Sequence, residues 1–275
     1  MGATHRIQLG PVPVDIVTRR EALDRIDDLV AAGEGGAVFT PNVDHVVLAD
    51  ENAMFRAAYA RASLSLADGM PLVWTSRLLG APLPERVAGS DLVEPLLVRA
   101  AQRGWRVGFF GGGPGVAALA RDKVRERLPA LDIVGVHAPV VGLDDSPSQR
   151  AAAIAPLLDT KPHLVLVALG APKQEIWIDQ VRGALRPAVL VGVGASLDFL
   201  AGTIPRAPRW MAGSGLEWLY RLGREPRRLW RRYLVRDPKF LLVLAGMTWR
   251  PRRSTPSGPE AAPPSSTRSK KLRIG

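Results

Sequence analysis

Six short apolar runs recur through the first 202 residues, and helix-length segments separate most of them. The runs are Ala37–Phe39, Leu64–Ala67, Val107–Phe110, Ile133–Val136, Leu164–Leu169 and Val189–Val193. Between them lie stretches such as Val43–Ala60 and Leu92–Gln102, with apolar residues three and four apart, the spacing of one helix face. A run too short for a helix yet apolar throughout reads as a strand covered on both sides. Strands that alternate with helices pair in parallel, because each return to the same sheet edge needs a crossover. The expected fold class is therefore α/β: a largely parallel sheet with helices on both faces and no internal repeat. At 47% hydrophobic and 23% charged, the chain is too apolar to be disordered throughout. Its 275 residues suit one such domain with an appendage better than two full domains.

Polar and glycine residues collect directly after these runs. Thr40 to Asn42 follow the first, Asp68 and Gly69 the second, Gly111 to Gly115 the third, Gly170 to Glu175 the fifth and Gly194 to Asp198 the sixth. Open α/β sheets bind ligands at the carboxyl ends of their strands, where loops converge and helix N-termini point into a crevice. A single active-site crevice accounts for all five clusters.

Each cluster has two readings at this level. Asp68 at the crevice mouth is placed to act as a general base, and an Asp before a helix with Pro71 in its first turn also makes an N-cap. Thr40 and Asn42 carry the same ambiguity. Asp198 suits ribose hydroxyls or a cap. Lys173, Gln174 and Glu175 read either as donors and acceptors for a phosphate or sugar, or as the exposed first turn of a helix. The Gly111–Gly115 loop, with a helix starting near Pro114, offers backbone N–H groups to a phosphate, or is only a tight turn. It does not fit GxGxxG, since Val116 takes the third glycine position, and no GxxxxGK[ST] occurs, which disfavours nicotinamide enzymes and P-loop enzymes.

Several chemistries are excluded or weakened. With no cysteine, disulfides, thiolate metal sites and cysteine nucleophiles drop out. His5, His45, His137 and His163 lack HExxH spacing and no Asp-x-Asp occurs, so a metal-independent mechanism is expected. No Gly-x-Ser-x-Gly marks a serine hydrolase.

Charge is segregated along the chain. Residues 203–275 hold 17 Lys and Arg against 4 Asp and Glu, while residues 1–202 hold 20 against 22. A basic end of this kind is drawn to a polyanion, an acidic membrane or a diphosphate. From Pro226, steps of 100° put Leu229, Trp230, Tyr233 and Leu234 on one arc and Arg227, Arg228, Arg231, Arg232 and Arg236 on the other. That is a basic amphipathic helix, suited to the surface of a bilayer or to packing on the chain's own core. The run Phe240–Met247 is well short of the roughly 20 residues a membrane-spanning helix needs, and no secretory signal is visible at the N-terminus. We expect a core over 1–205, a basic membrane-associating appendage over 206–250 and a disordered Pro/Ser/Lys-rich tail over 251–275. The expected location is the cytoplasm, peripheral on the inner face of the membrane. A nucleic-acid-binding module using the basic end is the non-enzymatic alternative.

In order, TPNVDHVVLA at 40–49, LADGMPLVW at 66–74, RVAGSDL at 86–92, GFFGGGPGVA at 108–117, LGAPKQEIWI at 169–178, GVGASLDFLAGTIPRAPRW at 192–210 and GLEWLYRLGREPRRLWRRY at 215–233 resemble the WecG/TagA/CpsF glycosyltransferases. The resemblance covers roughly residues 10–245. It implies a Rossmann-like core and an inverting transfer of an N-acetylmannosamine-type sugar. The donor would be a UDP-sugar and the acceptor undecaprenyl-diphosphate-linked N-acetylglucosamine, with no cofactor and no nucleic-acid partner. By the same resemblance Asp68 is the general base with Thr40 beside it. Asn42, Arg86, Gln174 and Asp198 line the nucleotide-sugar pocket together with Gly111 and Gly113 of the glycine loop. Arg221, Arg228 and Arg231 of the appendage contact the donor diphosphate. Where the family often carries a Gly-aromatic pair after the fourth strand, this chain reads His137 to Gly142 without one. Homo-oligomerisation is left open.

Overall fold

The computed structural model describes residues 5–207, 211, 217–224 and 226–249. Six strands, β3 (Gly36–Phe39), β4 (Leu64–Ser65), β5 (Arg106–Gly111), β6 (Asp132–His137), β7 (Leu164–Ala168) and β8 (Val189–Gly192), form one parallel sheet in the order β4-β3-β8-β7-β5-β6. Each matches one of the six apolar runs. Alternate side chains point to opposite faces of a strand, and both sets are buried here. Phe39, Phe110, Val165 and Val167 join one apolar cluster, and Val38, Phe109, Leu164 and Leu166 join the other.

The helices divide between these clusters. Helices α2 (Val43–Glu51), α3 (Ala53–Ala60), α4 (Met70–Leu78), α7 (Pro147–Thr160) and α8 (Lys173–Val181) cover one face. Helices α1 (Arg19–Ala32), α5 (Gly89–Arg103), α6 (Val116–Arg127) and α9 (Ser196–Ala201) cover the other. The doubly covered Rossmann-like sheet is as expected.

Three local features differ from the sequence reading. A hairpin of β1 (Arg6–Leu9) and β2 (Val12–Asp15) precedes the sheet. It is joined to the sheet through Asp15, which accepts from Arg6 Nε at 2.9 Å and from the Ser65 amide at 2.7 Å. The stretch Val43–Ala60 is two helices, because the Asn52 side chain accepts from the Phe55 amide at 3.0 Å and restarts the helix as an N-cap does. The amphipathic segment from Pro226 is an α-helix only to Trp230 and then a π-helix over Arg231–Arg236. The wider i→i+5 step of a π-helix breaks the 100° wheel, and Trp230, Leu234 and Val235 are exposed.

The last helix, Lys239–Trp249, sits on α2. Phe240 is buried in the core cluster, with Val243 and Leu244 packed against it. Arg236 Nη1 donates to Asp44 Oδ1 at 3.1 Å, and Lys239 Nζ to Glu51 Oε1 at 2.7 Å. The expected 251–275 tail lies outside the described residues.

Candidate active site

Neighbouring strands β3 and β8 lead into helices on opposite faces, α2 and α9. Their outgoing loops diverge and open a crevice at the carboxyl edge of the sheet, the position at which doubly wound folds bind ligands. Strands β7 and β5 diverge in the same way, into α8 and α6.

Asp68 stands on the loop after edge strand β4. Its backbone N–H donates to Pro41 O at 2.7 Å, which ties this loop to Thr40–Asn42 after β3. The N-cap position of α4 falls on Gly69, with φ 149°, one residue after Asp68. Gly69 also brings the chain against Asn42, since an added Cβ would stand 3.9 Å from Asn42 Cβ. Asn42 does cap, its Oδ1 accepting from the His45 amide at 3.3 Å. Thr40 is buried with its hydroxyl under the start of α5, 3.1 Å from where a Cβ on Gly89 would lie.

Arg86 completes this group. The Val87 amide donates to Ala67 O at 2.8 Å, and this holds the Arg86 backbone alongside the Asp68 loop. Arg86 Nη1 lies 3.9 Å from Asp68 Oδ1, and its Nη2 donates to Asp91 Oδ2 at 2.6 Å. The other Asp91 oxygen takes Arg206, whose guanidinium also donates to Ser90 Oγ at 3.2 Å. Asp91 therefore aligns two guanidinium groups at the mouth beside Asp68. Arg206 and Asp91 were not singled out from the sequence, although both lie within the quoted family blocks.

The middle of the crevice is held by Gln174. Its Oε1 accepts from the Gly194 amide at 2.9 Å and its Nε2 donates to Glu175 Oε1 at 3.0 Å. It packs so closely on β8 that a Cβ at Gly192 would stand 2.4 Å from Gln174 Nε2. The exposed-first-turn reading of Gln174 and Glu175 is thus corrected, since both are buried. Gly111 has a packing reason of its own. With φ 90°, a Cβ there would meet Ala168 O at 2.6 Å, and the next amide, Gly112 N–H, donates to that same carbonyl at 2.7 Å. Gly113 and Gly115 are exposed, and the helix begins near Pro114 as expected, with Gly115 at its N-cap. Asp198 lies in the first turn of α9, where its Oδ1 accepts from the Thr203 hydroxyl at 3.3 Å. Arg231 is exposed, its guanidinium 5.5 Å over the Trp230 ring. The side chains of Arg221 and Arg228 lie outside the described residues.

Beneath Gln174 is a buried polar cluster that the sequence reading passed over. Glu175 Oε1 lies 4.0 Å from His45 Nδ1, which is 2.7 Å from the Tyr59 hydroxyl. Among the described residues Glu175 Oε2 has no hydrogen-bond partner. Burial pushes the Glu175 carboxyl up to about 7, and burial with the Glu175 and Asp68 charges raises Tyr59 well above the usual phenol value. A raised carboxyl favours folding fully below the unfolded value of 4.5 and loses that contribution as pH rises towards 7. Glu175→Gln should remove this dependence, worth about 3 kcal/mol. Urea melts at pH 5 and pH 8 check it: the wild type should lose more stability than the variant over that interval, and equal losses would show that Glu175 does not titrate there.

Among the described residues no three His, Asp or Glu side chains gather as a metal site, and no helix is long and apolar enough to cross a membrane.

Two comparisons bear on this arrangement. The family model described as Glycosyl transferase WecG/TagA/CpsF family matches residues 7–254, a span containing every crevice residue above. An N-acetylglucosaminyldiphosphoundecaprenol N-acetyl-beta-D-mannosaminyltransferase of Bacillus spizizenii is 36% identical over 211 residues, 77% of this chain and 79% of that protein.

Proposed function

The chain belongs to the WecG/TagA/CpsF family of glycosyltransferases, and from that premise we propose that it transfers an N-acetylmannosamine-type sugar from a UDP-sugar to N-acetylglucosamine carried on undecaprenyl diphosphate. The observation that carries this reading is the similarity to a relative named as an N-acetylmannosaminyltransferase for N-acetylglucosaminyldiphosphoundecaprenol. The transfer is an inverting displacement in the crevice between the β3 and β8 loops. It takes place at the cytoplasmic face of the membrane that holds the acceptor.

In such a displacement the acceptor hydroxyl attacks the anomeric carbon from the face opposite the departing diphosphate. The bond to the UDP oxygen breaks, and the hydroxyl proton passes to a base. Asp68 is that base. Its loop is fixed by the bond to Pro41 O, so the carboxylate is held in place before substrate arrives. The leaving diphosphate gathers negative charge, which arginine meets with paired donors that stay ionised. Arg86 of the core and Arg206 at the start of the appendage, aligned by Asp91, supply this together with Arg221, Arg228 and Arg231. Gln174, through the Gly194 amide, keeps the loops after β7 and β8 in register for the nucleotide. No metal is needed in this scheme, and teichoic acid or another surface polysaccharide is the product class.

The test is UDP release from UDP-N-acetylmannosamine, with the lipid-diphosphate acceptor in vesicles and EDTA present. Acceptor-dependent release is the expected result. Release abolished by EDTA and restored by magnesium would overturn the metal-free step, and no release under either condition would overturn the donor or acceptor assignment.

A further inference from the structure

Helix α4 begins two residues after Asp68 and carries apolar side chains on its outward side as well as its inward one. Leu72, Val73 and Ser76 are buried, whereas Trp74 is 50% exposed, Leu78 87% and the following Leu79 37%. Trp74 and Leu78 are four residues apart, so they are neighbours on one side of the helix, while Met70, a turn before, packs against the core. The outward face of a surface helix is ordinarily its polar one. Isolated exposed apolar side chains are common, but a contiguous set marks a contact surface. The segment from Gly69 to Pro84 contains a single charged residue, Arg77, and Arg77 is exposed on the same side.

We infer that α4 is a membrane-docking element of the core itself, its Trp74, Leu78 and Leu79 side chains lying in the acyl boundary of an acidic bilayer and Arg77 among the head groups. Three observations select a bilayer. The one charge on the face is positive, matching acidic lipid. The helix is nine residues long, about 13 Å, which suits lying in the interface rather than spanning it. The helix starts two residues after Asp68, so docking brings the carboxylate to the depth at which a lipid-linked acceptor presents its sugar. The proposal rests on the lipid-acceptor reading above, and it adds a contact separate from the basic C-terminal segment. That segment brings the enzyme to the surface by charge, and α4 sets the orientation of the crevice against it.

The chain has no cysteine, so one introduced thiol reports one position. In the full chain, Leu78→Cys and Leu119→Cys, the latter on α6 and 41% exposed, are labelled with a polarity-sensitive fluorophore. Each is then mixed with phosphatidylglycerol–phosphatidylcholine vesicles. The label at 78 should shift to the blue and become accessible to lipid-borne quenchers, while that at 119 stays aqueous. In unlabelled protein, Trp74→Ser/Leu78→Ser should weaken vesicle binding about tenfold. It should slow transfer to the vesicle-held acceptor while leaving transfer to a short-chain, water-soluble acceptor unchanged. An aqueous label at 78, or equal responses at 78 and 119, overturns the proposal. So does a wild-type dimer that the double substitution splits without altering vesicle binding, which would assign this face to a second copy. If the wild type transfers to neither acceptor yet the label at 78 enters the bilayer, the acceptor reading fails and the docking element stands.

Discussion

Asp68→Asn is expected to lower kcat by about 10²–10⁴-fold, the usual contribution of a positioned general base, with the KM for the sugar nucleotide nearly unchanged. Asparagine has the same size and can keep the backbone bond from residue 68 to Pro41 O, so the loop should not move. Arg86 would lose a partner at 3.9 Å but keep Asp91 at 2.6 Å, and the cationic wall for the diphosphate should survive. What is lost is the capacity to take a proton. A fall in kcat and kcat/KM together, at constant KM, is the signature of an interaction made only in the transition state. The measurement is initial-rate UDP release over a range of donor concentrations, with donor binding checked separately by calorimetry. A variant that turns over at near the wild-type rate removes Asp68 as the base. A variant that fails to bind donor would instead place its role in holding the sugar nucleotide.

How much of this was legible depended on whether neighbours in sequence or neighbours in space decide the outcome. The six parallel strands were legible because burial on both faces leaves continuous apolar runs, as in Leu164–Ala168. The crevice was legible because the residues following those runs are glycine and polar in five places. The β1–β2 hairpin left no such trace. Its strands have four residues each, one with Pro13 inside, and they are sheltered by packing against α3 and α4 rather than by their own pattern. Asp68 was ambiguous because a cap and a base share one position before a helix, and a sequence does not show which groups a carboxylate meets there. Glu175 was misread because a charged residue in a first helical turn is ordinarily solvated and favoured there by the helix dipole. Its burial comes from His45 and Tyr59, 130 and 116 positions away in the chain. The π-helix after Trp230 likewise cannot be read from a wheel that assumes one pitch.

Phe240→Ala should cost about 3 kcal/mol of stability, the usual toll of emptying a buried aromatic site. Leu241→Ala, one residue on, should cost less than about 0.5 kcal/mol. The contrast follows from burial: Phe240 is 5% exposed and joins the cluster under α2, whereas Leu241 is 69% exposed. One turn on, the same helix fits tightly on the core, since a Cβ at Gly10 would stand 2.7 Å from Val243 Cγ1 and 3.0 Å from Val46 Cγ1. Urea unfolding of the two single variants, followed by far-ultraviolet circular dichroism, makes the comparison. Equal, small effects would mean that the last helix rests on the core without supporting it. The expected difference would mean that removing the C-terminal segment destabilises the core itself. It would bare α2 and leave Asp44, itself buried, without the Arg236 guanidinium now 3.1 Å away. Asn42 caps the same helix at its crevice end, and His45 of its first turn contacts the Glu175–Tyr59 cluster. The helix that fixes one wall of the crevice is therefore also the seat of the appendage. Loss of activity on truncation should then be accompanied by loss of stability, and Phe240→Ala should reproduce the second with every appendage arginine still in place.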